Sequence, residues 1–128
     1  MDWGENDEKK KKRYNFLQMK LPNADRAVVE IEKLRDYCLS SSHPRGRHKA
    51  RVFVIALGIT ADNAEELKRA ILSAITTEEA RPTERDEYGQ RFIVDFSMRR
   101  QGKEAVVRSS WIVRSGENYP RLTSCYVL

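Results

Sequence analysis

The spacing of apolar residues divides the chain in two. Up to about residue 76 they recur every three or four positions, the period of a helix with one buried face. Val28, Ile31, Leu34, Tyr37 and Cys38 predict an amphipathic helix over 26–39, with Asp25 as its N-cap. Ala50, Phe53, Val54 and Leu57 predict a second helix over 47–57, closed by Gly58. Thr60-Ala-Asp-Asn reads as a capping segment, and Ala64, Leu67, Ile71, Ala74 and Ile75 predict a third helix over 62–76.

From Arg91 onward the period is two. Phe92, Val94 and Phe96 alternate with Arg91, Ile93 and Asp95, and Gln101-Gly102-Lys103 reads as a hairpin turn. Ala105, Val107, Ser109, Trp111 and Val113 line one face of the next strand, with Val106, Arg108, Ser110, Ile112 and Arg114 on the other. After a turn at 115–118, residues 121–127 form the last strand. Strict alternation places Leu122, Ser124 and Tyr126 on one face and Arg121, Thr123 and Cys125 on the other. Residues 77–90, polar and containing Pro82 and Gly89, read as a connector. Helices first and strands second predict an α+β fold, with N-terminal helices packed on one face of a C-terminal antiparallel meander.

Length sets one domain as the expectation, over 19–128 of the 128 residues. Residues 1–18 form an acidic block followed by the basic run of Lys9 to Arg13, an extension that cannot contribute to a packed core. Its rival reading is a basic arm for nucleic acid. No apolar run approaches the roughly 20 residues of a membrane span, and the N-terminus lacks the apolar stretch of a secretory signal. Cys38 and Cys125 are too few for a disulfide framework and read as reduced, half-buried thiols. A cytoplasmic setting without a membrane partner is expected.

Charge adds a location. The excess of basic residues is modest, 24 against 19 acidic, but His43, Arg45, Arg47, His48, Lys49 and Arg51 crowd one stretch that holds both histidines. The cations among them stand where a helix begins, which the macrodipole disfavours. The two histidines have no ligand-spaced Cys or carboxylate, so no metal and no cofactor is expected. Cys-His catalysis is the lesser option, because Cys125 sits among apolar neighbours. The residues suit metal-independent RNA cleavage through the 2′-hydroxyl, which needs proton transfer and cations for the phosphorane. His43 and Lys49 with Thr123, Ser124 and Tyr126 are the candidate catalytic groups. Arg45, His48, Arg51 and Arg121 are candidate phosphate ligands, and Trp111 or Tyr126 a stacking platform. Each has a plainer reading. His43-Pro44 makes a rigid turn with the imidazole capping a backbone group, Trp111 alternates with Val107 and Val113 as core tryptophan does, and Tyr126 is equally placed to be core.

Several segments resemble a known family: residues 19–25 (Met-Lys-Leu-Pro-Asn-Ala-Asp), 43–53 (His-Pro-Arg-Gly-Arg-His-Lys-Ala-Arg-Val-Phe), 56–58, 86–89, Trp111-Ile112 and 120–126. Together they resemble a small bacterial domain family of unknown function, found alone and akin to C-terminal domains of polymorphic and contact-dependent inhibition toxins. His43, Pro44, Gly46, Lys49, Ala50 and Phe53 match the toxin segment HPxGxxKAxxF; His48 departs from it. The resemblance covers about 19–128 and implies the ribonuclease superfamily of barnase, EndoU, colicin and RelE toxins. It implies a site with His43 and Lys49 on one side and Arg121, Thr123 or Ser124, and Tyr126 on the other. RNA and an acidic antitoxin or immunity protein are the implied partners. The alternatives are a non-catalytic module of a toxin system or phage-related element, and a protein that binds nucleic acid without cleaving it.

Overall fold

A computed structural model describes residues 19–128; the extension expected over 1–18 lies outside them. The order is a 3-10 turn Ala24–Arg26, then α1 at Ile31–Lys33 continued by a π-helical turn Leu34–Cys38. Next come α2 at Arg47–Leu57, a 3-10 turn Ala61–Asn63 and α3 at Ala64–Ala74. Four strands follow, β1 Ala80–Asp86, β2 Gly89–Arg100, β3 Lys103–Arg114 and β4 Pro120–Val127, in one antiparallel sheet ordered β1-β2-β3-β4. The α+β reading holds. Leu34, Phe53, Leu57, Leu67, Ile71 and Ile75 from the helices share one buried cluster with Phe92, Val94, Phe96, Val107, Trp111, Leu122 and Cys125 from the sheet.

The second helix has the predicted bounds. Gly58 adopts φ 65° and its N–H closes the last turn on Phe53 and Val54, the left-handed cap that glycine allows. Val54, expected in the core, is exposed, so the buried stripe is Ala50, Phe53 and Leu57. Thr60 and Asn63 form a capping box before α3, which spans 64–74 where 62–76 was predicted.

Three expectations fail for tertiary reasons. The first helix begins at Ile31, and Asp25 lies in the preceding 3-10 turn, so it is not the cap. Residues 27–30 are extended because β4 captures Val28. The Val28 N–H donates to the Pro120 carbonyl and the Leu122 N–H to the Val28 carbonyl, both at 2.9 Å. The connector expected over 77–90 contains β1. That strand is polar because it lies on the sheet edge, where only Ala80 is buried and Pro82 lacks no ladder partner it needs.

The third failure matters most for function. Ser110 pairs with Ser124 and Trp111 with Leu122, so Thr123 is one residue too many in β4. That bulge reverses the alternation. Leu122 and Cys125 both face the core, while Ser124 and Tyr126 turn to the opposite face rather than sharing the side of Leu122.

Candidate functional site

Once the bulge turns Tyr126 outward, a row of polar side chains crosses three strands. Tyr126 on β4 stands opposite Arg108 on β3, and Arg108 opposite Asp95 on β2. Side chains directly opposite on neighbouring strands touch, and the guanidinium makes a fork with the carboxylate. Arg108 Nε donates to Asp95 Oδ1 and Nη2 to Oδ2, each at 2.9 Å. With side chains 24% and 32% exposed, the pair is half-buried, so its fixed geometry counts for more than its net energy. Asp95, and more weakly the Tyr126 hydroxyl, hold the Arg108 guanidinium above its ordinary range, so it stays charged. The next row along holds Ser110 and Ser124.

Lys49 completes the cluster from the helical layer. It projects from the first turn of α2, and its Nζ lies 4.2 Å from the centroid of the Tyr126 ring, within cation–π range. α2 is anchored there by the buried side chains of Ala50, next to Lys49 in sequence, and Phe53, about one turn further on. Its start is pinned by Gly46, where a Cβ would come within 2.6 Å of the Tyr37 carbonyl oxygen. The Tyr126 ring is thus flanked by two cations, one fixed by a carboxylate and one on a flexible stem.

Of the residues singled out in the sequence, Lys49 and Tyr126 meet, with Ser124 one row away and Thr123 forming the bulge. The others do not join them. His43 faces its own loop: Nδ1 accepts the N–H groups of Arg45 at 3.2 Å and Gly46 at 3.3 Å, and its ring packs edge-on against Tyr37 at 4.7 Å. That is the turn-capping role. Arg45 is exposed in the same turn. Arg121 is clasped by Glu117 through Nε at 2.9 Å and Nη2 at 3.1 Å, and Nη2 also donates to the Tyr119 hydroxyl. Four residues of strand, one of them the bulged Thr123, lie between it and Tyr126, a span of roughly 15 Å at about 3.3 Å per residue. Trp111 cannot stack on a base, being 1% exposed, with Nε1 donating to Ser109 Oγ at 2.9 Å. Cys125 is fully buried rather than half-buried, and its thiol is pushed well above the ordinary range by contact with Cys38 and by burial, which opposes a nucleophilic role. His48 and Arg51 lie on the other flank of α2 from Lys49, beside Arg35 and Arg47.

Arg108 and Asp95 were absent from the sequence-based set although a signal existed. They are equidistant from the Gln101–Gly102 turn, so hairpin register alone pairs them. Each is a charge alternating with core residues. Among the described residues no three His, Cys, Asp or Glu side chains gather as a metal site would require, and no described helix is long and apolar enough to cross a membrane.

No curated protein matches the chain. Its fold is similar to one chain of a contact-dependent growth inhibition toxin–immunity protein complex from Klebsiella pneumoniae 342. The TM-score is 0.61 at 16% identity, over 79% of this chain and 99% of that one. The family model described as domain of unknown function (DUF6883) matches residues 20–128, and the chain belongs to that family.

Proposed function

We propose that this domain is a metal-independent ribonuclease of a bacterial toxin system, acting at the cluster of Lys49, Tyr126, Arg108 and Asp95. One observation carries the reading: a tyrosine on the outer face of the sheet with one cation, Lys49, over its ring and a second, Arg108, opposite it on the neighbouring strand and oriented by a carboxylate fork. The 2′-oxygen of the substrate attacks the adjacent phosphorus, forming the P–O2′ bond as the P–O5′ bond breaks. Arg108 and Lys49 balance the negative charge on the phosphorane oxygens. Tyr126 gives its hydroxyl proton to the departing 5′-oxygen, and water takes the 2′-hydroxyl proton. The products are a 2′,3′-cyclic phosphate and a 5′-hydroxyl. His43 has no part in this scheme; its Nδ1 caps its own loop. The fold shared with a chain of a toxin–immunity complex supports the toxin setting, and an acidic immunity protein or antitoxin would complement Lys49 and Arg108.

Expression in a bacterium without any partner should arrest growth, and Lys49→Ala or Tyr126→Phe should restore it while leaving soluble protein at wild-type levels. Unimpeded growth with abundant soluble wild-type protein would overturn the proposal.

A second reading, a protein-binding module without catalysis, is favoured by apolar side chains left open to solvent: Val52 and Ile55 on α2, and Val106 and Leu128 at the end of the β3–β4 pair. Under it, wild-type and Tyr126→Phe proteins would have identical effects on growth and on RNA.

A further inference from the structure

We propose that the groove on the far flank of α2 is a binding site for a nucleoside phosphate, taken as a free mononucleotide or as one unit of an RNA strand. At 3.6 residues per turn, Arg47 and Arg51 project about 200° around α2 from Lys49. They open into a cavity of about 960 Å³ between α2, the end of α1 and the 3-10 turn before α3, at the upper end of the size range of small-ligand pockets.

Three features of the lining select the ligand. The first is cationic. Arg47 and Arg51 stand one turn apart on the same stripe, with His48 beside them and Arg35 across the cavity. Arg35 uses Nε and Nη2 on Asp36, which leaves Nη1 for a ligand. The second is a run of hydroxyls: Ser40, Ser41 and Ser42 form one wall, with the Oγ atoms of Ser40 and Ser42 3.2 Å apart. Guanidinium forks and short hydroxyls together are the donors that phosphate oxygens take. The third is an apolar floor of Leu39, Ala50, Val54 and Ala61, which suits the flat face of a base with an arginine stacked over it. Asp36, neutralised by Arg35, and Asp62 are the carboxylates in the lining.

The charge pattern of α2 points the same way. Its first turn has no acidic residue and no side-chain cap, yet Arg47, His48 and Lys49 occupy it. Cations there are repelled by the positive end of the helix, and a bound phosphate relieves that repulsion. An acidic protein segment would satisfy the charges but leave the apolar floor unfilled. The site does not rest on the ribonuclease proposal, since its residues lie on the opposite flank of α2 from Lys49. Where both hold, the groove carries the strand beyond the scissile phosphate.

The experiment is calorimetric titration of the full chain with adenosine and uridine 5′-monophosphates, with a short 2′-O-methyl oligoribonucleotide that cannot be cleaved, and with a polyglutamate peptide. Arg51→Glu and Arg47→Glu alter exposed positions, and folding is checked by circular dichroism. The proposal expects a mononucleotide or the oligonucleotide to bind, with affinity falling at least about tenfold in either variant and weakening with salt. Binding by mononucleotides marks a free ligand, and binding by the oligonucleotide alone marks a strand site. No binding of either, affinity untouched by both charge reversals, or binding of polyglutamate alone would overturn it. Failure of the ribonuclease proposal appears separately, as intact cleavable RNA with nucleotide binding retained.

Discussion

Ser109 shows how single residues hold the site in place. It is the one fully buried polar side chain among the described core residues, and it is satisfied twice. Its Oγ donates to the Val94 carbonyl at 2.7 Å and accepts the Trp111 Nε1–H. Ser109→Ala strands the indole N–H in the core and should cost about 1–3 kcal/mol in denaturant unfolding, at unchanged m-value. Arg121 and Glu117 give a pH signature. The Arg121 guanidinium, then the Tyr119 hydroxyl, hold the Glu117 carboxyl at about 2 against an ordinary 4.5. A depressed acid stabilises the fold fully above its unfolded value and loses that contribution as pH falls through the folded one. The melting temperature should therefore decline between about pH 4.5 and 2, and Glu117→Gln should make that decline shallower. The effect is small because the pair meets solvent. At this scale the sequence was partly legible. Lys49 and Tyr126 stood out by type and position. His43 and Arg121 stood out equally, but chemical type does not reveal that a ring caps its own loop or that a neighbouring glutamate already occupies a guanidinium.

The elements were legible where one face is buried and obscure where it is not. Helix α2 and strands β2 and β3 carry complete apolar periods, so pattern alone places them. β1 carries none, since an edge strand buries little, and the extended stretch before α1 is set by β4 rather than by its own helical spacing. The bulge at Thr123 was invisible to strict alternation, yet it decides which way Tyr126 points. Gly89 is the element-scale weak point. It opens β2 at φ 146°, and a Cβ there would lie 2.1 Å from the Val113 carbonyl oxygen. Gly89→Ala should destabilise the sheet by about 2 kcal/mol or more through backbone strain and displacement of β3. Faster amide exchange at the β2–β3 end nearest Val113 would show it, while exchange in α3 changes less.

Over the described residues, helices bury one face of the sheet and leave a mostly polar face opposite, broken by Ile93, Val106 and Ile112, and α2 lies where both its flanks are usable. One flank delivers Lys49 to Tyr126 and the other shapes the arginine groove. The central claim is chemical and lives at the first of these. It is tested most directly by incubating the purified chain with single-stranded RNA in excess chelator and analysing the ends. The account predicts cleavage by the wild-type protein with 2′,3′-cyclic phosphate and 5′-hydroxyl termini. Tyr126→Phe, Lys49→Ala and Arg108→Ala should each slow it by about 10²-fold or more, while His43→Ala stays within about threefold of wild type once folding is matched. RNA left intact by folded wild-type protein, or cleaved equally well by Tyr126→Phe, would contradict it.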